Sequence, residues 1–330
     1  MELISVIMSV YNEEEQWLIQ CLDSLVNQSY EHLQLIIVLD NKSNETLKKI
    51  LEKYQKMYSY IELVINDKNL GLTRSLNKAL LLCKGDYIAR MDADDICRLD
   101  RFEVQKHFLE SSKSDFVYSP AQLIDEEGNI FHAEKEGILP PKDVKKFLTI
   151  QNKAWHPSWF AKKEVFDKLN GYRDVQYCED YDFLLRTLEN GYRISRSEKP
   201  LIYYRVRRTS ISQKNLLIQM LNARFILLKY KKSKLSVMNV AEINEKFNYI
   251  SEKRRNDFLV ATNQFNKALE FYWNENSTNY IQTLKYLLLS IFRSKYIVYR
   301  IKELISLIRL ENRLATQPTE ERDYHGIANG

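Results

Sequence analysis

The chain has 330 residues, of which 45% are hydrophobic and 28% are charged, and its formal net charge is +5. This composition is typical of a folded globular protein with room for two domains, and the charge is too small to indicate nucleic-acid binding by itself. With only 8 glycines and 6 prolines, the chain is neither collagen-like nor rich in linkers.

Cysteines and apolar runs give two further expectations. The four cysteines, at positions 21, 83, 97 and 178, have neither zinc-ligand nor redox spacing, which favours a reduced, cytoplasmic protein. The amino terminus lacks the pattern of a signal peptide, and no apolar run reaches the length of about 18 residues that predicts a transmembrane helix.

The first 95 residues alternate between predicted strands and helices. Apolar runs predict strands at 3–10, 33–39, 61–65 and 87–91. Apolar residues at helical spacing predict helices at 17–26, after an N-cap at Asn44, and at 73–83. This alternation predicts an α/β fold with a mostly parallel sheet and helices on both faces. In such sheets ligands bind beyond the carboxyl ends of the strands.

Acidic side chains cluster where the fourth predicted strand ends. Asp92, Asp94 and Asp95 lie within four residues, and side chains two apart at a strand end can act on one point. Their mutual repulsion is costly unless water or a cation neutralises it. Carboxylate oxygens at this density suit Mg²⁺ or Mn²⁺, which often bridge a few carboxylates and a substrate diphosphate.

The chain has no Gly-x-Gly-x-x-Gly after the first strand and no Walker-type loop, so neither a dehydrogenase nor a P-loop enzyme is predicted. A diphosphate held without a glycine loop needs a metal, which the acids at 92–95 can bind. An isolated Asp-x-Asp is more often a solvated turn. Here Tyr11 and Asp40 also lie at predicted carboxyl ends, and this convergence favours a nucleotide site.

Residues 96–212 continue the α/β pattern, and helices follow. The predicted elements of this part are helices at 101–109, 142–150 and 183–189, strands at 116–124 and 201–206, a hairpin turn at 125–129 and an aromatic strand-like segment at 155–160. Further helices are predicted at 215–230, 254–273 and 280–310. The polar residues 316–330 are expected to be disordered.

The last predicted helix is basic. Between 280 and 310 a single acid, Glu303, stands against six basic residues: Lys285, Arg293, Lys295, Arg300, Lys302 and Arg309. A basic amphipathic helix can lie on an anionic membrane surface, and it would then bring an active site to a lipid-linked acceptor. An ordinary helical hairpin that packs on the catalytic domain or on a partner is the equal alternative.

Several short segments, each weak alone, occur together in one order. They are residues 6–13 (VIMSVYNE), 69–72 (NLGL) with Arg74 and Asn77, 85–88 (GDYI), 91–96 (MDADDI), 100–102 (DRF) and 179–180 (ED). This combination resembles glycosyltransferase family 2 over residues 1 to about 212, and the run at 91–105 is most similar to its bacterial exopolysaccharide and capsule branch.

The resemblance implies a GT-A catalytic domain at 1–212, with a nucleotide-binding half at 1–95 and an acceptor half at 96–212. A helical extension at 213–315 and the tail would follow. The implied activity is inverting, metal-dependent transfer of a sugar from a nucleotide-diphospho-sugar, most often a UDP-sugar, to a hydroxyl of a glycan or lipid-linked glycan. It would extend a bacterial surface polysaccharide from the cytoplasmic side.

On the donor side, the resemblance implies one role for each matching residue. Tyr11 would pack near the base, Glu13 near the ribose and base, and Asp92 near the ribose and the water shell of Mn²⁺ or Mg²⁺. Asp94 would be the direct metal ligand. The remaining donor-binding residues are Asp40, Asn41, Arg74 and Ala93. Asn41 departs from the family, which usually has a second acid there, and an amide can donate as well as accept.

On the acceptor side, the resemblance implies that Asp180, rather than Asp182, is the catalytic base that takes the proton of the acceptor hydroxyl. His156 is expected near the metal or the diphosphate, with a buried structural histidine as the alternative. The expected lining of the acceptor and diphosphate side comprises Trp155, Trp159, Glu179, Arg205 and Arg207, with Arg208 as a further candidate. Core packing is the commoner role of such tryptophans, and a solvated loop is an equal alternative for each arginine.

Two other classes of protein share parts of this pattern. A sugar nucleotidyltransferase would have the sheet and the acids but no use for Asp180. A catalytically inactive nucleotide-sugar-binding module would bind a donor without turnover, although the presence of Asp92, Asp94 and Asp180 argues against it.

Overall fold

The computed structural model describes residues 2–207, 215–273 and 279–315, and these contain eleven strands and twelve helices. The strands are β1 (Ile4–Val10), β2 (Leu33–Leu39), β3 (Ile61–Ile65), β4 (Tyr87–Asp92), β5 (Ile96–Cys97), β6 (Phe116–Tyr118), β7 (Ala121–Ile124), β8 (Ile130–Ala133), β9 (Phe160–Lys162), β10 (Ile194–Arg196) and β11 (Ile202–Arg205). The helices are α1 (Glu15–Val26), α2 (Glu45–Met57), α3 (Leu72–Leu80), α4 (Arg101–Ser111), α5 (Pro141–Leu148), α6 (Lys163–Lys168), α7 (Glu179–Glu189), α8 (Leu216–Lys231), α9 (Val240–Lys246), α10 (Glu252–Tyr272), α11 (Tyr280–Arg293) and α12 (Ile297–Ala315).

The main sheet has seven strands in the order β10-β6-β9-β4-β1-β2-β3. All neighbours pair in parallel except β9, which is antiparallel to both β4 and β6. The predicted mostly parallel sheet is therefore confirmed. The register pairs Ser9 of β1 with Asp92, and Val10 with Leu39. As a result the residues that follow β1, β2 and β4 emerge side by side at one edge.

A second sheet of four strands, in the order β5-β11-β7-β8, lies next to this edge. Strand β11 runs antiparallel to β5 and parallel to β7, and β7 and β8 form the predicted hairpin. Because β5 follows directly on the acidic turn, its pairing with β11 brings Arg205 to the carboxylates although about a hundred residues separate them in sequence.

Three predicted elements differ in the structure, and two of the differences involve proline. The predicted strand at 116–124 is two strands in different sheets, because Pro120 has no N–H for a continuous ladder. The segment at 155–160 is a 3₁₀ turn at His156–Ser158, with Pro157 in its first turn, followed by β9. The predicted helix at 280–310 is interrupted at Ser294, and the break lets Ile297 be buried among residues of α8 and α10.

Apolar clusters fill both faces of the main sheet. One cluster packs α1, α2 and α4 against it, and the other packs α3, α6 and α7, which confirms the prediction of helices on both faces. A third cluster joins α7 to α8 and α9 through residues such as Tyr181, Leu185 and Ile226. The helical extension thus rests on the helix that carries Asp180.

Within the described residues, no helix combines the length and apolarity needed to cross a bilayer. Arg208, the predicted boundary at residue 212 and the predicted disordered tail lie outside the described residues.

Candidate active site

Three carboxylates meet where β4 ends. One oxygen from each of Asp92, Asp94 and Asp95 lies within 4.8 Å of the others, close enough to share one metal ion. A tight turn holds them, in which the Asp95 N–H donates to the Asp92 carbonyl oxygen at 3.3 Å. The expectation that these three acids lie close enough to act on one point is therefore confirmed.

Burial makes it costly for all three carboxylates to be ionised together. Desolvation, and next the charge of Asp92, raises the pKa of Asp94 to about 6. Desolvation and the charge of Asp94 raise the pKa of Asp95 well above its ordinary value. Asp95 Oδ2 is buried and has no hydrogen-bond partner among the described residues. A divalent cation would relieve both the repulsion and the missing partner, so the residues present fit a metal.

Two arginines approach the cluster from β11 and the residues after it, in different ways. Arg207 Nε lies 2.8 Å from Asp94 Oδ2, and its guanidinium carbon is 5.8 Å from the centre of the Trp17 ring. Arg205 is only 3% exposed, and its side chain makes four hydrogen bonds to the protein. Its acceptors are the carbonyl oxygens of Asp94, Asp125 and Glu126 and the side chain of Gln20. Arg205 thus fixes the acidic turn to the hairpin, and its contact with a phosphate stays a prediction.

A buried cation that the sequence analysis did not consider lies beneath the site. Arg90, on β4 and 2% exposed, is paired with Asp92, while its Nε and Nη1 have no hydrogen-bond partner among the described residues. Its positive charge lowers the pKa of Asp94, Asp95, Glu179 and Asp180 alike. The acid cluster and the acids of α7 therefore face the same buried guanidinium. Arg90 could have been noticed in the sequence, because it is a charged residue inside a mostly apolar strand.

The second acidic pair opens helix α7. Asp180 Oδ2 accepts from Asn152 Nδ2 at 2.8 Å, and Asp180 Oδ1 accepts from the Tyr181 N–H at 2.6 Å. Desolvation raises the pKa of Asp180 to about 6, although these donors and Arg90 act in the opposite direction. Desolvation and the neighbouring Asp180 charge raise the pKa of Glu179 further. Near neutral pH the pair therefore offers one ionised carboxylate, with Asp180 the more acidic.

Asp182 has a different environment from Asp180. It is fully buried and paired with Arg173 and, at 2.8 Å, with Arg186. Arg186 in turn donates to the carbonyl oxygens of Leu169 and Gly171. Both oxygens of Asp182 are thus bound to arginines that hold the segment before α7.

Asp40 holds a loop. It is 2% exposed, and its carboxylate accepts from Asn66 Nδ2 at 2.7 Å and from the N–H groups of Leu70 and Gly71, each at 2.8 Å. Gly71 has φ +83°, a conformation that favours glycine. The oxygens of this buried carboxylate bind the 66–71 loop, and a contact between Asp40 and the donor base stays a prediction.

Replacement of Asp40 by Ala is therefore expected to lower the free energy of unfolding by about 2 kcal/mol, since the buried Asn66 amide and the partly buried N–H groups of Leu70 and Gly71 would lose this acceptor. Urea denaturation measures this change. Asp67→Ala removes an exposed carboxylate from the same loop and is the matched control, with an expected change of about 0.5 kcal/mol or less. Equal stability of the two variants would contradict the structural role of Asp40.

The other predicted donor residues lie around the same sheet edge. Tyr11 is 42% exposed, and its N–H donates to Glu13 Oε2 at 2.7 Å. Burial raises the pKa of Glu13, and both Asp94 and Arg207 influence it electrostatically. Asn41 donates to Asn12 Oδ1 at 2.6 Å. Tyr11 and Glu13 follow β1, and Asn41 follows β2, at the edge where β4 ends, and the buried Ala93 separates Asp92 from Asp94.

Arg74 is exposed on α3 and forms an ion pair with Asp174, with 3.2 Å between Nε and Oδ2. Asn77, also on α3, exchanges two hydrogen bonds of 2.8 Å with the backbone of Tyr172. Both contacts tie α3 to the segment that leads into α7. The donor-binding role of Arg74 remains a prediction.

The aromatic residues of 155–160 divide between core and cleft. Trp159 is fully buried and packs edge-on against Phe116 at 5.1 Å, so its expected place in the acceptor lining is corrected to the core. Trp155 is half-buried, packs at a tilt against Tyr204 with 4.6 Å between the ring centres, and donates to Glu134 at 2.7 Å. Its role at the acceptor side stays a prediction.

His156 is not part of the carboxylate cluster. Its Nε2 lies 2.9 Å from the Tyr172 hydroxyl, and its ring is 4.4 Å from Trp159. Desolvation and the nearby Arg90 charge lower the pKa of His156 well below its ordinary value, so the imidazole is neutral. These contacts favour the structural alternative over metal binding.

Known proteins resemble this chain in sequence and in fold. The model of "Glycosyl transferase family 2" matches residues 5–169. An uncharacterised glycosyltransferase of Methanocaldococcus jannaschii is 36% identical over 205 residues, which cover 62% of this chain and 71% of the relative. The amylovoran biosynthesis glycosyltransferase AmsE of Erwinia amylovora is 31% identical over 194 residues, 58% of this chain and 72% of the relative. The crystal structure of S. aureus TarS in complex with UDP-GlcNAc matches with a TM-score of 0.56 and 17% identity, over 88% of this chain and 91% of that one.

Proposed function

The chain belongs to glycosyltransferase family 2 and has the GT-A fold, and from this premise we propose that it is an inverting, metal-dependent transferase of a UDP-sugar to a glycan hydroxyl. Membership decides among the three classes considered from the sequence in favour of a glycosyltransferase. The observation that supports the proposal is that Asp92, Asp94 and Asp95 meet where β4 ends, close enough to share one metal ion.

The proposed reaction is a single displacement. Asp180 accepts the proton of the acceptor hydroxyl while the acceptor oxygen forms a bond to the anomeric carbon of the sugar. The bond from that carbon to the diphosphate breaks, the nucleoside diphosphate leaves with the electron pair, and the anomeric configuration inverts. The structure supports this assignment because Asp180 is ionisable near neutral pH, whereas Asp182 is enclosed in ion pairs.

Asp94 is proposed to ligate Mn²⁺ or Mg²⁺ directly and Asp92 through water, with Asp95 as a further nearby carboxylate. The bound cation supplies neutralisation of the charge on the leaving diphosphate. Arg207 is proposed to contact the diphosphate, since its guanidinium already lies beside Asp94. We also propose domain boundaries at 1–212 and 213–315, which rest on the resemblance to the family over residues 1 to about 212.

The donor and acceptor are proposed from relatives. TarS binds UDP-GlcNAc, which supports a UDP-sugar as donor, and Tyr11, Glu13 and Asn41 would form its base and ribose contacts. The amylovoran relative supports a role in bacterial surface polysaccharide, exopolysaccharide or capsule, with a glycan or lipid-linked glycan as acceptor. The reaction is proposed to take place on the cytoplasmic side, where the four buried free cysteines would stay reduced.

A panel of nucleotide sugars with Mn²⁺ tests the proposal. The purified chain is expected to gain thermal stability with a UDP-sugar and to release UDP slowly by hydrolysis, and EDTA is expected to abolish both effects. A response to sugars of another nucleotide would overturn the choice of UDP. Turnover that persists in EDTA would overturn the metal dependence.

The pH dependence of transfer follows from the environment of Asp180. A base with a pKa of about 6 is protonated and inactive at lower pH, so kcat/KM is expected to rise as pH increases through about 6. Asn152→Ala removes a donor that stabilises the carboxylate, and the acidic limb is expected to move to higher pH. Initial rates across pH measure the limb. An unchanged limb in the variant would contradict Asp180 as the titrating base.

A further inference from the structure

Helix α11 exposes an apolar face that the protein leaves uncovered. Four side chains on this face, at spacings of three, four and four residues, are largely exposed: Ile281 (82%), Leu284 (56%), Leu288 (44%) and Phe292 (86%). These spacings put the four residues on one side of a helix. The opposite side packs on α10, where Tyr286 stacks on Phe271 at 5.6 Å and Ser290 is buried. The helix is thus apolar on both sides, and only one side has a partner in the described residues.

Basic side chains border this face. Lys285, Lys295, Lys302 and Arg309 are exposed and form no salt bridge within the described part of the chain. Arg293 is paired with Asp257 at 2.8 Å, and the single acid of 280–310, Glu303, is only partly exposed and lies 3.7 Å from Arg224. Lys285 within α11 and Lys295 just after it therefore add positive charge beside the apolar row.

We propose that Ile281, Leu284, Leu288 and Phe292 dock the protein onto an anionic phospholipid surface, with Lys285 and Lys295 against the headgroups. Large apolar side chains beside lysines are the pattern of helices that lie in a membrane interface. A second copy of the chain is a poorer occupant, because its own lysines would be brought against these lysines without acidic partners. The inference goes beyond the proposed reaction, since lipid binding requires no turnover.

The position of α11 relates this face to the candidate active site. Helix α11 packs on α10, and α10 contributes Phe258 and Phe265 to a cluster with residues of α8 and with Tyr177. Tyr177 directly precedes Cys178 and α7, whose first turn carries Asp180. Docking through α11 therefore anchors the helical layer that supports the base, and it would hold the cleft near a lipid-linked acceptor.

Flotation with phospholipid vesicles tests the inference. The full-length protein is expected to float with vesicles containing phosphatidylglycerol, to float much less with pure phosphatidylcholine, and to be released partly by high salt. The Ile281→Ser/Phe292→Ser variant is expected to bind phosphatidylglycerol vesicles about tenfold or more weakly. Lys285→Glu/Lys295→Glu is expected to abolish the preference for anionic vesicles.

The hairpin provides a matched control. Ile130 and Phe131 of β8 are also exposed, at 54% and 58%, so Ile130→Ser/Phe131→Ser removes similar apolar area elsewhere. Its vesicle binding is expected to equal that of the unmodified chain. Equal loss in both variants, or no flotation of the unmodified chain with anionic vesicles, would overturn the inference.

Two further measurements separate the remaining outcomes. If sedimentation without lipid shows a dimer that Ile281→Ser/Phe292→Ser dissociates, the face joins copies of the chain and the lipid inference is overturned. Hydrolysis of the donor sugar without vesicles is expected to be unchanged in this variant, which also shows that it folds. Unchanged vesicle binding of this variant together with intact hydrolysis would overturn the docking inference alone. Vesicle binding by an unmodified chain that hydrolyses no donor sugar would overturn the proposed function alone.

Discussion

Replacement of Asp180 by Asn is expected to reduce sugar transfer about a thousandfold while leaving donor binding intact. An amide cannot take the proton of the acceptor hydroxyl, and positioned general bases contribute about two to four orders of magnitude to such rates. The amide oxygen can still accept from Asn152, so the local structure should persist. Initial rates of transfer and titration of the enzyme with the donor in Mn²⁺ measure the two quantities separately.

Asp182→Asn is the matched comparison, two residues along the same helix. Because Asp182 bridges Arg173 and Arg186, its neutralisation is expected to lower the melting temperature, an effect that Asp180→Asn should not share. If Asp180→Asn retains full turnover, Asp180 is not the base. If it loses donor binding together with turnover, its role is structural.

Asp94→Ala is expected to weaken Mn²⁺-dependent donor binding about a hundredfold or more. Even the outer partners of metal ligands are worth about 10- to 100-fold in metal affinity, and Asp94 is the proposed direct ligand. Calorimetric titration of Mn²⁺ in the presence of UDP measures the loss. Unchanged affinity would remove Asp94 from the metal site.

The Arg207→Ala variant separates the contribution of Arg207 from that of Asp94, the proposed metal ligand. In the structure Arg207 neutralises Asp94, so its removal frees the carboxylate and is expected to leave Mn²⁺ affinity equal or higher. The affinity for UDP is expected to fall, because a cationic partner of the diphosphate is lost. A parallel loss of Mn²⁺ affinity in both variants would indicate that Arg207 supports the metal site instead.

Much of the first half of the fold could be predicted because its signals are local. The apolar runs of β1, β2 and β4 and the N-cap at Asn44, which accepts from the Leu47 N–H at 3.1 Å, are readable along the chain. The sequence does not predict β5 and β10, because strands of two or three residues are too short to show an alternating apolar pattern. The break at Pro120 follows from the missing N–H of proline, and at Ser294 tertiary packing decides which side chains are buried.

The sequence by itself determined the α/β class, the proximity of Asp92, Asp94 and Asp95, and the basic character of residues 280–310, since the alternation of strands and helices and the composition follow from short-range pattern. Only the tertiary structure decided how individual polar groups are used. Arg205 reaches Asp95 across 110 residues, and Asp40 reaches Gly71 across 31. A buried polar group takes whichever partners packing brings to it, because leaving it unpaired costs more than any local preference.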